Sequence, residues 1–294
     1  MNRRTFLKAS AMAAAAAGAG PWRGAVAAPT ERIALGTLTF RQHFRFTADP
    51  DVPVSMMLQL QDVPEYFADN FGVHAVEFWT MHFEGMSPAY LSDVRKRLEA
   101  ARSTLVNVQI ASDCHMAAED EDLRQEGLKT ARQWIDISAA LGAKAARLNT
   151  GDGSVAQCTR SFREMNAYAK EKGLILLAEN HGGLSADPDM LVQLCADVDG
   201  LEIVPDFGNF GDLDPLEGLR KLLPCARHLV SAKTAGFNAN WEHTPFDFAA
   251  CVRLCEELGF PGVYSGEYFG PMPIDADKVA QWMVDALREN LRRA

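Results

Sequence analysis

A single closed (β/α)₈ barrel is the fold this sequence predicts, and three observations predict it. Strand-like and helix-like segments alternate eight times between residues 32 and 291. Three of the apolar strand-like runs end abruptly in an acidic residue, the pattern of parallel strands that are covered on both faces and open onto a site at one end. Residues 28–294 also suit one barrel, or one large α/β domain, better than two separate domains.

The elements follow in order. RIALGTLTF at 32–40 reads as the first strand, followed by a loop through Pro50 and a helix over 54–70. VHAVEFW at 73–79 precedes a helix over 88–103, TLVNVQIAS at 104–112 an amphipathic helix over 121–141, and AKAARLNTG at 143–151 a helix over 155–172. The fifth strand begins LILLAENHGG at Leu174 and leads to a helix over 188–197. The last three strands, at 201–207, 227–234 and 263–268, precede helices over 215–223, 245–258 and 276–291. Gly72, Gly142, Gly173, Gly200 and Gly259 each stand just before a strand, where a residue with positive φ ends the preceding helix.

The fifth, sixth and eighth strands deliver Glu179, Asp206 and Glu267 at their C-terminal ends. Only closure of a barrel brings these dispersed acids together, on the face where barrel enzymes carry their chemistry. Alternation along the strands adds polar neighbours. Asn107 and Gln109 point inward while Val106, Val108 and Ile110 face the helices; Glu77 shares a face with Trp79, and Arg147 with Asn149. Three clustered carboxylates raise one another's pKa unless a cation sits among them, so the pattern points to a divalent metal. Oxygen ligation favours Mn²⁺ or Mg²⁺, and an added imidazole would admit Zn²⁺ or Co²⁺.

The N-terminus reads as an address. Arg3-Arg4-Thr5-Phe6-Leu7-Lys8, an alanine-rich run and Ala25-Val26-Ala27 make a twin-arginine signal peptide over 1–27, cleaved after Ala27. The run is too short and too weakly apolar to be a stable membrane anchor. The twin-arginine export machinery is therefore an expected partner, and the barrel domain, 28–294, is expected in the periplasm or outside the cell. The leader holds four basic residues and no acid, leaving the mature chain with 25 basic residues against 39 acidic ones. That surface repels phosphate backbones and excludes nucleic acid as a partner. The six cysteines show no staple or CxxC spacing and read mostly as small buried hydrophobes, with Cys251 and Cys255 on one helix face.

With ENHGG on the fifth strand, PDFGN on the sixth, SAKT on the seventh and GEY on the eighth, the chain resembles the xylose isomerase-like TIM barrels, specifically the sugar phosphate isomerase/epimerase group. The resemblance covers essentially the whole mature chain. It implies metal ligation by Glu179, Asp206 and Glu267, and base and acid roles for Glu179 and Glu267. The chain departs at the fourth ligand: the family's seventh strand usually ends His-x-Lys, and aligning on Lys233 puts Ser231 at the histidine position. His181, two residues beyond Glu179, is the better substitute, as ligand or substrate contact. His228 has the wrong parity and should face the helices.

Lys233 reads equally as a proton shuttle or as a carboxylate's partner, and Glu77 as a substrate or acid/base group or as a structural partner of Arg147. His115 beside Asp113 reads as a solvated loop histidine. Trp79, Phe207, Phe210, Phe237, Trp241 and Phe269 stand at or after strand ends, some to stack on sugar rings and others to roof the barrel. Glu77, Asn107, Arg147, Asn149, His181 and Lys233 are the expected contacts for a small-molecule sugar substrate. The expectation is a metal-dependent isomerase or epimerase of a sugar or sugar derivative, working by proton transfer next to a carbonyl. A lyase of the same fold, of keto-inositol dehydratase or carbon–glycoside cleaving type, is the alternative within enzymes, and a sugar-binding barrel without turnover the alternative outside them. An oligomer is compatible with all three.

Overall fold

The computed structural model describes residues 29–111 and 113–293. The leader expected over 1–27, with its cleavage site, lies outside the described residues. Eight parallel strands run in the order β6-β5-β4-β3-β2-β1-β8-β7. They are β1 (Ile33–Gly36), β2 (Ala75–Trp79), β3 (Thr104–Gln109), β4 (Ala145–Leu148), β5 (Ile175–Glu179), β6 (Glu202–Val204), β7 (Leu229–Thr234) and β8 (Val263–Tyr268). The seam between β6 and β7 closes just past the end of β6, where Asp206 bridges Ser231 in parallel register. Phe207 N donates to Ser231 O at 3.1 Å and Ser231 N to Pro205 O at 3.0 Å, so the ring is complete.

Helices follow each strand: α1 (Val63–Phe71), α2 (Pro88–Ala100), α3 (Glu121–Leu141), α4 (Val155–Glu171), α5 (Pro188–Asp197), α6 (Pro215–Leu222), α7 (Phe248–Glu257) and α8 (Ala276–Arg293). Their starts carry the expected chemistry. Asp120 caps α3 by accepting from Leu123 N at 2.9 Å, and Asp247 caps α7 by accepting from Ala250 N at 2.8 Å. All five helix-ending glycines take positive φ. Among the described residues no helix is long and apolar enough to cross a membrane.

The first unit departs most from expectation. Its strand ends at Gly36, and Thr37–His43 continues as a 3₁₀ turn, while the helix expected over 54–70 begins only at Val63. Pro53 cannot donate an amide proton, and Pro64 is placed in the first turn of α1, where that loss costs nothing. The intervening segment forms a long loop tied by Gln42, whose amide donates to Asp49 O and Val52 O.

Two apolar clusters hold the barrel. The larger lies between strands and helices. The smaller is internal and takes one residue from every strand: Ala34, Ala75, Val106, Ala145, Leu177, Val204, Leu229 and Val263. Each is nearly or wholly buried, which for a branched side chain is worth about 1.5–3 kcal/mol. Val106 corrects the alternation expected for β3. A register shift between Val76 and Glu77 of β2 sets Val76 against Leu105 and Glu77 against Asn107, leaving Val106 as the extra residue. It turns inward there, while Val108 and Ile110 face the helices as expected.

His228 also corrects its expected direction. It precedes β7, so strand alternation does not govern it, and its buried Nε2 stands 2.9 Å from Val106 O on the opposite side of the barrel. The ring therefore plugs the floor beside the internal apolar layer, and burial holds its pKa below the usual histidine value.

Candidate functional site

Above that layer the interior turns polar. The alternation that buries Ala75, Ala145, Leu177, Leu229 and Val263 places Glu77, Arg147, Glu179, Ser231 and Ser265 one inward position further along their strands. Asn107 and Asp206 join them from β3 and the end of β6, and Gly36 from β1 leaves room beside Glu77 Oε2. Gln109, Asn149, Lys233 and Glu267 lie closer to the strand ends. All four acids, Glu77, Glu179, Asp206 and Glu267, are at most 2% exposed.

Buried charges need partners: Arg147 serves one acid, Lys233 is shared by two, and Glu77 is held by neutral hydrogen-bond donors. Arg147 pairs with Glu179 at 3.0 Å and donates a second hydrogen bond to Asn149 Oδ1. Lys233 Nζ stands 3.3 Å from Asp206 Oδ2, 3.1 Å from Glu267 Oε1 and 3.0 Å from Asn209 Oδ1. Gln109 donates to Glu267 Oε2 at 2.6 Å, and Ser231 Oγ to Asp206 Oδ2 at 2.8 Å. Glu77 accepts from Asn107 Nδ2 at 2.6 Å and from Ser265 Oγ. Of the two readings of Lys233, the geometry is that of a carboxylate's partner. Arg147 pairs with Glu179 rather than with Glu77.

The ENHGG turn is built around the same site. Asn180 Oδ1 accepts from Asp206 N at 2.7 Å and its amide donates to Asp206 O at 3.0 Å, a two-point clamp between β5 and β6. Gly182 and Gly183 both take positive φ, and a Cβ on Gly183 would meet Gly151 O at 2.5 Å. Only glycine makes that turn without strain.

Charge balance and burial set the direction in which each acid's pKa moves. Four buried acids share two cations, Arg147 and Lys233, so two of the acids are favoured as neutral carboxyls. Burial is the largest influence on Glu77 and pushes it up to about 7, helped by the charge of Glu267 and opposed by Ser265, Asn107 and Arg147. Burial likewise pushes Glu179 up to about 8; Arg147 opposes, while Asp206 and Glu267 reinforce. Asp206 is raised by burial against the pull of Lys233. Glu267 alone moves down, because Lys233, the Gln109 hydrogen bond and Arg147 together outweigh its burial.

His181 lies at the mouth, exposed, and its ring makes no hydrogen bond among the described residues. Partial enclosure and the cations Arg147 and Lys233 lower it to about 4, so the imidazole is neutral near pH 7. His115 Nδ1 meets Asp113 at 3.2 Å in its loop, away from the paired acids. Of the aromatic candidates, Phe207 and Phe210 are buried, and Phe237 and Trp241 pack on one another in the loop after β7. Phe269 is 56% exposed and carries Lys233 Nζ 5.7 Å from its ring centre, and Trp79 is half-buried.

Sequence reasoning missed four participants. Ser265 and Asn209 lie two and three residues from acids already singled out, so the same alternation could have found Ser265. Gly208 is required by packing: a Cβ there would stand 2.9 Å from Lys233 Cδ, so glycine opens the lysine's path. His82, just past β2, is buried with neither ring nitrogen hydrogen-bonded among the described residues, and is stacked on Phe44 at 3.8 Å. Burial pushes it down to about 3, and nothing in its spacing signalled this.

The residues do not present a metal centre as arranged. Among the described residues no three histidine, cysteine, aspartate or glutamate side chains form a group that could hold a metal ion. Lys233 stands between Asp206 and Glu267, Arg147 covers Glu179, and Ser231 spends its proton on Asp206. The lysine makes the expected three-carboxylate ligand set into an internal ion-pair network.

The fold recurs in solved structures of low sequence identity. The chain superposes on the apo 3-keto-D-glucoside 4-epimerase of E. coli with a TM-score of 0.65 and 14% identity, covering 90% of this chain and 99% of that one. A probable 3-DHS dehydratase of Bacillus anthracis matches with a TM-score of 0.62 and 13% identity, over 87% and 98% of the two chains. A Mycobacterium smegmatis barrel in complex with magnesium matches with a TM-score of 0.62 and 17% identity, over 89% and 98%. Among curated proteins none matches the chain. Residues 1–20 match the twin-arginine translocation signal sequence. Residues 66–290 match the family described as the xylose isomerase-like TIM barrel, and with the closed ring of eight strands this places the chain in that family.

Proposed function

We propose that this barrel is an exported enzyme, acting in the periplasm or beyond, that moves a proton on a carbon next to the carbonyl of a sugar or sugar derivative, as an isomerase or epimerase. One observation carries the reading: two acids, Glu179 and Glu267, are buried in one barrel interior, each beside a different cation, Arg147 at 3.0 Å and Lys233 at 3.1 Å. Burial favours the protonated form of Glu179, whereas Lys233 and the Gln109 hydrogen bond favour the ionised form of Glu267, the pairing an acid and a base need.

The chain's own residues suffice to describe the roles. Glu267 accepts the proton from the substrate carbon, and Gln109 holds its second oxygen in place. Glu179 returns a proton to the neighbouring oxygen or carbon, its orientation set by Arg147. Negative charge developing on the substrate oxygen meets Arg147 and Lys233, fixed cations buried in the interior where they act most strongly. Asn107 Oδ1, Gln109 Oε1, Arg147 Nε and Asn209 Nδ2 are buried with no hydrogen-bond partner among the described residues, two acceptors and two donors suited to a polyhydroxylated ligand. Phe269 offers an exposed ring for a sugar face. Among the described residues, the divalent ion that the resemblance implies finds no ready donor set as the side chains are arranged.

A keto-sugar and oxidised-glycoside screen of the mature protein, read by product analysis, tests the proposal. Epimerised or isomerised product supports it. A product that has lost water or an aglycone would reassign the same proton abstraction to a lyase, and binding without turnover across the screen would leave a sugar-binding barrel.

A further inference from the structure

Cys195 and Cys225 lie thirty residues apart in the chain and are neighbours in the fold. Cys195 stands in the last turn of α5, and Cys225 ends the 3₁₀ turn Leu223–Cys225 that follows α6. The two helices pack on one another. The start of β6 anchors the pair from both sides: Cys195 Sγ donates to Leu201 O at 3.4 Å, and Arg227 N, two residues past Cys225, donates to Glu202 Oε2 at 3.2 Å. Both thiols are free and pack against the core between strands and helices. Exposure singles out the same two. Cys114, Cys158, Cys251 and Cys255 are buried, whereas Cys195 and Cys225 are half-buried, and thiol–disulfide exchange needs access from solvent.

We infer that Cys195 and Cys225 form a dithiol that closes to a disulfide after export, by exchange with a disulfide-bearing oxidant. The oxidising compartment rests on the proposed export, but the chemistry of the pair does not. The Cys225 thiolate attacks one sulfur of the oxidant, forming a mixed disulfide and expelling the other half as a thiolate. Cys195 then attacks Cys225 Sγ, forms the intramolecular bond and expels the second half. The protein gives up two electrons and two protons, and the oxidant leaves as two thiols. The order of attack follows from the surroundings: the neighbouring Cys195 thiol, helped by Arg227, lowers Cys225 to about 7 against its partial burial. Cys195 is raised, first by the Cys225 thiol and then by burial, and the first influence ends once Cys225 is capped. The bond closes a loop around β6, Asp206 and α6, the segment that meets β7 through the isolated bridge of Asp206 with Ser231. Closing that loop takes freedom from the unfolded chain and so stabilises the fold.

The experiment equilibrates the mature chain, purified reduced, with mixtures of reduced and oxidised glutathione, then quenches it with acid, denatures and alkylates it, and maps its peptides. Two thiols are expected to disappear together, leaving Cys195 and Cys225 in one cross-linked pair without bound glutathione. The melting temperature should rise by several degrees and fall back on adding dithiothreitol. Cys195→Ser should instead stop at a glutathione adduct on Cys225. Six alkylated cysteines in oxidised glutathione, a disulfide to any other cysteine, or separate glutathione adducts on the two thiols would overturn the inference. The wild-type map needs no variant, so it decides even where Cys195→Ser fails to fold. It needs no export either: failure of the export reading would show separately, as a leader-bearing chain retained in the cytoplasm.

Discussion

Asp206 and Ser231 hold the barrel shut by backbone and side chain at once: they bridge β6 to β7 in parallel register, and Ser231 Oγ donates to Asp206 Oδ2 at 2.8 Å. Among the described residues this isolated bridge, rather than a ladder of paired strand residues, joins the two strands. The acid of the candidate site is thus also a structural fastener. Removing the hydroxyl with Ser231→Ala leaves a buried carboxylate one donor short, which costs about 1–3 kcal/mol. Denaturant titration should show that loss with the fold retained; an unchanged midpoint would mean that the seam does not depend on the side-chain bond.

Activity should be governed by the two oppositely set glutamates. Glu267→Gln and Glu179→Gln are each expected to lower kcat by about 10²–10⁴ on the identified substrate with little change in stability. Wild-type kcat/KM should fall as pH rises through about 8, where Glu179 loses its proton, and should hold until pH drops below the ordinary carboxylate range, where Glu267 gains one. A profile flat to pH 10, or wild-type rates in either variant, would contradict the assignment.

Glu77 makes a stability prediction of definite sign. Its folded pKa is about 7 against an ordinary 4.5, so the folded state holds the proton more tightly than the unfolded state. Its contribution to stability is complete below about pH 4.5 and is lost as pH rises through about 7. The loss is about 1.4 kcal/mol for each pH unit between those values. Glu77→Gln mimics the protonated acid, accepting from Asn107 and donating to Ser265. The variant should be more stable than wild type at pH 8 and should lose that advantage at pH 4.5, by thermal melts at both. Equal differences at the two pH values would show that Glu77 is not a buried, proton-holding acid.

The cysteines should separate by reactivity. The neighbouring Cys195 thiol lowers Cys225 to about 7, against the effect of its partial burial, whereas burial pushes Cys114, Cys158 and Cys251 up to about 12. The thiolate is the nucleophile, so Cys225 should be alkylated first at pH 7.5, and Cys195→Ser should slow it. Peptide mapping after brief maleimide treatment reads this directly; uniform labelling of all six would refute it.

Much of this was legible in the residues because two periodicities govern a barrel. Eight alternating segments and the parity of their side chains placed Glu77, Asn107, Arg147, Glu179, Ser231, Lys233 and Glu267 on inner faces, and helix ends such as Gly142 followed from local backbone chemistry. Parity failed at Val106, where the register shift between β2 and β3 adds a residue, and at His228, which stands outside its strand. It also carries no information about which cation each acid takes. That choice depends on side-chain reach in three dimensions: Lys233 extends past Gly208 to two acids, and Arg147 turns to Glu179. The cysteine reading missed the proximity of Cys195 and Cys225 for the same reason, since the two lie thirty residues apart in the chain, one on α5 and the other in the turn after α6.

The central claim is that Glu267 removes a proton from a carbon next to a carbonyl, and solvent exchange followed by NMR in D₂O tests it most directly. With a substrate from the keto-sugar screen, wild-type protein should incorporate deuterium at that carbon, and Glu267→Gln should not. Turnover without deuterium at that carbon, or exchange by Glu267→Gln at the wild-type rate, would contradict the account.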